Sequence, residues 1–202
     1  RAPRGQEVVD VCFVLDLTAS MGHIIDACKA HVAAIIRGLL SELEVGELRV
    51  AFVGYRDWGE RNNAAHPRVV ALPFVGHAGA EALAERIGRE SAYGGADMAE
   101  DVLSGMEAAR DLEWRGDVRV CLFIADAPAH GWTGYDGPYG SDDFPDGCCP
   151  DQRGKSLPGV VLQLADDKGV DQEKRDEGRR VLGHAAGHGV QRLRVLHIVG
   201  AQ

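Results

Sequence analysis

Oxygen-bearing side chains follow an apolar stretch near the start of the chain. Asp16, Thr18 and Ser20 stand at alternate positions in DLTAS, directly after the apolar run VCFVL. Such a set can cap the helix that follows, form the nucleophile loop of a phosphatase, or ligate a metal ion. The rest of the sequence has to decide among these three kinds of site.

Two further carboxylates are expected to reach the same place. Asp126 follows the apolar run VRVCLFIA, and Asp97 ends the loop YGGAD. In an open parallel sheet, sites form beyond the carboxyl ends of the strands, near the point where the strand order reverses. Asp16 and Asp126 end strands that should be neighbours at that point. We therefore expect three carboxylates and two hydroxyls at one edge of the sheet.

The composition of this set favours a cation over a phosphate. Mg²⁺ takes about six oxygen ligands at roughly 2.1 Å, and Mn²⁺ or Ca²⁺ can substitute for it. Helix N-termini attract phosphate, but three carboxylates would repel it, and the sequence has no P-loop lysine or GxGxxG to compensate. A phosphatase of the haloacid dehalogenase type needs a second Asp as general acid where this chain has Thr18.

A helix cap is the simpler alternative for the first motif. Thr18 or Ser20 alone would more often be an N-cap, which contributes about 1 kcal/mol to helix stability. The matching Asp126 at another strand end and Asp97 in a Gly-Gly loop favour the metal site instead.

The elements that must position these residues follow from the pattern of apolar residues. Apolar runs alternate with segments of helical period, which predicts an α/β fold: a doubly wound, Rossmann-like, mostly parallel sheet with helices on both faces. The run at 67–75 follows the strand at 47–57 too closely for a crossover helix, so it should be an antiparallel edge strand. The other predicted strands are 8–16, 117–128 and 193–200, and the predicted helices are 21–40, 79–90, 98–112, 155–168 and an exposed one at 171–189.

Length and charge limit the classes of function. Residues 8–202 are expected to form a single domain after an N-terminal extension at 1–7. The net charge of −9 argues against nucleic acid or an anionic membrane as the main partner. No apolar run approaches the roughly 18 residues of a membrane span, so membrane insertion is not expected.

Cysteine usage favours an intracellular, cytoplasmic location. Cys12, Cys28 and Cys121 fall on apolar strand or helix positions and are expected to be small buried hydrophobes. Cys148 and Cys149 are adjacent in a loop, without the CxxC spacing of a redox or metal motif.

Several polar and aromatic residues have two interpretations. Asp57 can act in the second shell of the metal or pair with Arg56, and His130 is expected to pack the loop, since imidazole suits softer ions than Mg²⁺. The long Gly/Pro/Asp-rich loop at 130–154 is expected to be functional or disordered. Its aromatics, Trp132, Tyr135, Tyr139 and Phe144, can pack on one another or form a contact surface. The two histidines near the end of the sequence, His184 and His188, are expected to be exposed.

The ordered set of motifs resembles von Willebrand factor A (vWA) domains with a metal-ion-dependent adhesion site. DLTASM resembles their DxSxS element, with Thr18 in place of the first Ser, and FIADAP resembles their strand-end Asp. FVGYRDWG, GGADMAEDV, ADAPAHG and DDFPDG resemble the subgroup fused to atypical alpha-kinases. The resemblance covers roughly residues 8–170.

This resemblance implies a vWA fold that binds Mg²⁺ and contacts a partner protein through the metal face, within a larger protein and without catalytic activity of its own. It implies direct ligation by Thr18 and Ser20, with Asp16 and Asp126 acting mainly through water. Asp97 departs from the family pattern, in which this loop supplies a Thr. The extra carboxylate predicts tighter retention of the metal and weaker affinity for an acidic partner residue.

Two alternatives remain open at the level of sequence. One is an Mg²⁺-dependent hydrolase or phosphotransferase that uses the same carboxylates, although no general base paired to a nucleophile and no Lys/Arg clamp is evident. The other is a structural domain that binds no metal.

Overall fold

The chain folds around a five-stranded sheet with the strand order β3-β2-β1-β4-β5. A computed structural model describes residues 8–23, 25–42, 46–59, 63–95, 97–131, 142–165 and 194–199. The strands are β1 (Val8–Asp16), β2 (Glu47–Tyr55), β3 (Val69–Val75), β4 (Val118–Ala125) and β5 (Arg194–Val199), and the helices are α1 (Ile25–Glu42), α2 (Ala80–Gly88), α3 (Val102–Arg110) and α4 (Leu157–Ala165).

The pairing of the strands confirms the predicted sheet. β1 lies parallel to both β2 and β4, and β5 continues parallel to β4. β3 pairs with β2 in the antiparallel direction at the edge, because its connection is too short for a crossover helix. The strand order reverses between β1 and β4, so the carboxyl ends of these two strands flank the switch point where ligands usually bind.

Helices cover both faces of the sheet, as the sequence predicts. Val11, Phe13 and Leu15 of β1 belong to one apolar core together with residues of α1 and α2. Cys12 and Val14, which point the other way, belong to a second core together with α3 and α4. Alternate burial of strand residues on two helical layers explains why β1 is an almost continuous apolar run.

The predicted helix at 98–112 begins later than expected, at Val102. The carboxylate of Asp101 accepts a hydrogen bond from the backbone N–H of Ser104 at 3.0 Å and so caps the helix. Glu100 instead forms an isolated parallel β-bridge with Ala129. Residues 97–101 are therefore a loop held against the segment that follows β4.

Several expectations are tested only in part by the described residues. Cys12 and Cys121 are fully buried, as predicted, and Cys28 is partly buried against the first core. No helix in the described ranges is both long enough and apolar enough to cross a membrane. The exposed helix expected at 171–189, with His184 and His188, and the loop residues Trp132, Tyr135 and Tyr139 lie outside the described residues.

Candidate metal centre

Four of the five predicted metal-site residues form one hydrogen-bonded chain across the ends of β1 and β4. Asp16 Oδ1 accepts hydrogen bonds from the backbone N–H of Thr18 at 2.8 Å and from its Oγ1 at 2.7 Å. Thr18 Oγ1 lies 3.0 Å from Ser20 Oγ, which donates to Asp126 Oδ1 at 2.9 Å. The side chains of two separate strand ends thus meet at the switch point.

Backbone contacts hold the loop after β1 in this position. The N–H of Leu17 donates to the carbonyl of Tyr55 at 2.8 Å, and the N–H of Ala19 donates to the carbonyl of Gly94 at 3.1 Å. A 3-10 helix at Ala19–His23 follows, and its residue Met21 is buried. The loop after β1 is therefore fastened to β2 on one side and to the Gly-Gly loop on the other.

Among these four hydrogen-bonded side chains, burial is greatest at Asp16 and Thr18 and lower at Ser20 and Asp126. Asp16 and Thr18 are both 0% exposed. Asp126 is only partly buried, and Ser20 is exposed. An ion held by these oxygens would be enclosed on the side of Asp16 and open to solvent, or to a partner, on the side of Ser20.

Glu100 is a member of the site that sequence reasoning missed. Its side chain is 3% exposed and shares a hydrogen bond with the side chain of Thr18. Its backbone N–H donates to the carbonyl of Pro128 at 2.9 Å, which anchors it beside the loop that carries Asp126. The sequence signal for Glu100 as a site residue is its acidic side chain three positions after Asp97. The helical pattern that starts at residue 98 instead predicts an ordinary helix residue at this position.

The hydroxyls do not carry enough protons to satisfy the oxygens around them. Thr18 Oγ1 has one proton but lies against oxygens of Asp16, Ser20 and Glu100. Glu100 Oε2 is buried and has no hydrogen-bond partner among the described residues. A buried carboxylate oxygen without a donor is costly, so either a proton or a cation is required here.

The acidity of the buried carboxyls reflects the same shortage of positive charge. Burial raises the pKa of Asp16 to about 6, with hydrogen bonds from Thr18 opposing the change and the charge of Asp126 adding to it. Burial, followed by the charges of Asp16 and Asp57, raises the pKa of Glu100 to about 10. These residues suit a bound cation, which would stabilise the ionised form of both carboxyls and lower both pKa values.

Asp97, the fifth predicted ligand, lies toward a neighbouring group of side chains. Its Oδ2 accepts a hydrogen bond from the backbone N–H of Asp143, and one carboxylate oxygen lies within 4.8 Å of ligand atoms of Asp57 and His130. Burial raises its pKa, and the bond from Asp143 opposes the change. Ligation by Asp97 of the same ion as Asp16 stays a prediction.

Asp57 and His130 are joined to each other rather than left to the surface. His130 Nε2 lies 2.9 Å from Asp57 Oδ1, and Nδ1 lies 2.9 Å from Asp142 Oδ1. The His130 ring also meets Phe144 edge-on with the ring centroids 5.0 Å apart, so it packs the long loop as expected. Arg56, the partner considered for Asp57, forms a buried ion pair with Glu90 at 3.1 Å.

Comparisons with known proteins find one informative relative. No protein-family model matches the chain. The alpha-protein kinase vwkA of Dictyostelium discoideum is 30% identical over 132 residues, which are 65% of this chain and 20% of that protein. The chain therefore spans about a fifth of the length of this relative.

Two solved structures that the comparison finds are only distantly similar to this chain. The pilus adhesin SpaC of Lactobacillus rhamnosus GG, in its open conformation, is 12% identical with a TM-score of 0.48, over 59% of this chain and 15% of that chain. The tip pilin GBS104 of Group B Streptococcus agalactiae is 14% identical with a TM-score of 0.44, over 64% of this chain and 49% of that chain. At these scores the likeness says nothing about function.

Proposed function

We propose that this chain is a vWA-type domain that binds Mg²⁺ and contacts a partner protein through its metal face. The observation that carries the proposal is the hydrogen-bonded chain from Asp16 through Thr18 and Ser20 to Asp126. It supports a site of oxygen ligands, half buried and half open, at the switch point of the sheet. The partial similarity to vwkA is consistent with this lineage.

The residues of the site have distinct roles in this proposal. The hydroxyls of Thr18 and Ser20 would bind the ion directly, while Asp16 and Asp126 would accept hydrogen bonds from water on the ion. Glu100, beside Thr18, would add negative charge from the buried side. The open position beside Ser20 is where a residue of the partner protein would reach the metal, with Mn²⁺ or Ca²⁺ able to replace Mg²⁺.

No catalytic activity is proposed for this chain. The kinase in the name of the relative is a property of that protein, of which the chain matches one fifth. The alternative, an Mg²⁺-dependent hydrolase or phosphotransferase, needs a cationic clamp for the transferring group. The groups that contact Asp16, namely Thr18 and Tyr55, are neutral donors, which favours ion binding over phosphoryl transfer.

Thermal unfolding with and without Mg²⁺ tests the metal site. Protein treated with EDTA should gain about 2.7 kcal/mol of stability when Mg²⁺ is added at 100 times its dissociation constant. Asp126→Ala should lose this gain, whereas Asp146→Ala, which removes an exposed aspartate of the long loop, should keep it. A melting temperature that does not respond to Mg²⁺ would show that the domain is purely structural.

The interaction role has a separate test. Proteins retained by the immobilised chain in Mg²⁺ should be released by EDTA and should not be retained by Asp126→Ala. Turnover of a phosphate ester in Mg²⁺, present in wild type and absent in Asp16→Ala, would instead establish the hydrolase alternative.

A further inference from the structure

A second group of metal-ligating side chains lies beside the proposed magnesium site. Asp57, Asp97 and His130 each offer one ligand atom, and these atoms lie within 4.8 Å of one another. Asp57 follows β2, Asp97 belongs to the Gly-Gly loop, and His130 follows β4. Asp57 is 3% exposed and His130 is 8% exposed, while Asp97 is partly exposed, so two of the three side chains are buried.

The His130 ring is oriented in the manner of a metal ligand. Its Nδ1 lies 2.9 Å from Asp142 Oδ1, and the carboxylate of Asp142 is itself held by the backbone N–H groups of Gly131 at 2.7 Å and Phe144 at 2.8 Å. A carboxylate that accepts the proton of one ring nitrogen leaves the other nitrogen available to a metal. That other nitrogen, Nε2, faces Asp57.

Unpartnered oxygens provide a second, independent observation. Asp97 Oδ1 and Glu100 Oε2 are buried and accept no hydrogen bond from any residue within the described ranges. Glu100 is more than nine-tenths buried and lines one small cavity together with His130. The charges of Asp57 and Asp97 are close enough to raise the pKa of Glu100 further, after burial and Asp16. Glu100 therefore lies between the two groups of carboxylates.

When all the carboxyls at the two sites are ionised, their charge exceeds what one divalent ion balances. Five carboxylates surround the two sites: Asp16, Asp57, Asp97, Glu100 and Asp126. One divalent ion balances two of them. Burial alone would lower the pKa of His130, but hydrogen bonds to Asp57, Cys149 and Asp142 raise it. Its protonated imidazole would balance one more carboxylate but also contacts Asp142, so a deficit of positive charge remains at the inner side.

We propose that Asp57, Asp97 and Nε2 of His130 form a second divalent-cation site, with Glu100 between it and the magnesium site. Imidazole together with carboxylates favours a transition metal ion such as Zn²⁺ over Mg²⁺. When the ion binds, the proton on Nε2 leaves to solvent and the proton on Nδ1 stays in its hydrogen bond to Asp142. This site is separate from the proposed function, which depends on Mg²⁺ at Asp16 and Asp126.

Calorimetric titration of Zn²⁺ in saturating Mg²⁺ tests the second site. The chain, first stripped of metal with EDTA that is then removed, should bind Zn²⁺ with a heat that varies with the ionisation enthalpy of the buffer, because a proton is released. Asp57→Asn and Asp97→Asn should each remove one equivalent of Zn²⁺ relative to wild type. Asp142→Asn should lower the affinity about 10- to 100-fold, since it acts only through His130.

Matched controls separate this site from the magnesium site and from the cysteines. Asp126→Asn should lose the thermal response to Mg²⁺ and keep the Zn²⁺ equivalent that Asp57→Asn lacks. Asp97→Asn, at a partly exposed residue, keeps the test valid if Asp57→Asn does not fold. Two outcomes would contradict the second site: Zn²⁺ binding by the Asp57 and Asp97 variants equal to that of wild type, or loss of Zn²⁺ and Mg²⁺ together in Asp126→Asn. In either case Asp57, His130 and Asp142 form a structural ion cluster only.

Discussion

The two ends of β1 each carry a fully buried aspartate, and the two are stabilised in different ways. At the amino end, Asp10 accepts two hydrogen bonds from the guanidinium of Arg49 at 2.8 and 2.7 Å, and one each from the backbone N–H groups of Arg115 and Gly116 at 2.7 Å. At the carboxyl end, Asp16 accepts from Thr18 and from the hydroxyl of Tyr55 at 3.3 Å.

This difference separates a carboxylate whose charge the chain itself balances from one whose charge it does not. The charge of Asp10 is balanced by a cation of the chain itself, so its ionised form is complete without any ligand. Asp16 has neutral donors and the carboxyls of Asp126 and Glu100 nearby, so a cation from outside would stabilise its ionised form. The amino end of the strand supports the fold, and the carboxyl end is left short of positive charge.

Removing the cation at the amino end should have the largest effect. Arg49→Met leaves the buried carboxylate of Asp10 without its guanidinium partner, and such a change costs about 3–5 kcal/mol. Denaturant unfolding at pH 7 should show this loss, while the thermal response to Mg²⁺ stays that of wild type. A loss below about 1 kcal/mol would mean that the Asp10 pair contributes no more than a surface ion pair.

At the carboxyl end, the stability of the metal-free protein should fall as the pH rises from 7 to 9. Burial, with Asp16, Asp57 and Asp97 nearby, raises the pKa of Glu100 from 4.5 to about 10. Burial alone would lower the pKa of His130, but hydrogen bonds to Asp57, Cys149 and Asp142 raise it from 6.5 to about 11.

Both raised pKa values make the unfolding free energy fall as the pH rises. Between pH 7 and 9 the folded protein holds a proton on Glu100 and on His130 that the unfolded chain releases. Each group therefore lowers the unfolding free energy by up to about 1.4 kcal/mol per pH unit. Unfolding free energies in EDTA at pH 7, 8 and 9 measure the slope. Glu100→Gln should remove its share of the slope, and an identical slope in that variant would exclude a protonated Glu100.

The smallest expected effect concerns the extra carboxylate in the Gly-Gly loop. Asp97→Thr should weaken Mg²⁺ binding by about 1 kcal/mol, or roughly five-fold, because one nearby negative charge is lost in a partly solvated place. Calorimetric titration of Mg²⁺ measures the change, with Asp146→Ala as the surface control. Equal affinity in wild type and Asp97→Thr would show that Asp97 does not retain the metal.

The sequence by itself determined the sheet, the antiparallel edge strand and the meeting of Asp16, Thr18, Ser20 and Asp126. Strand and helix periods are local properties, and the carboxyl ends of adjacent parallel strands must lie together. Only the tertiary structure decided which acidic residues of the loops join them. Glu100 faces Thr18 because residues 97–101 leave the helical path and pair with the segment after β4. Likewise, Asp57 contacts His130, and its chain neighbour Arg56 pairs with Glu90. The contact between Asp57 and His130 joins side chains 73 residues apart in the sequence, and no local pattern records such a contact.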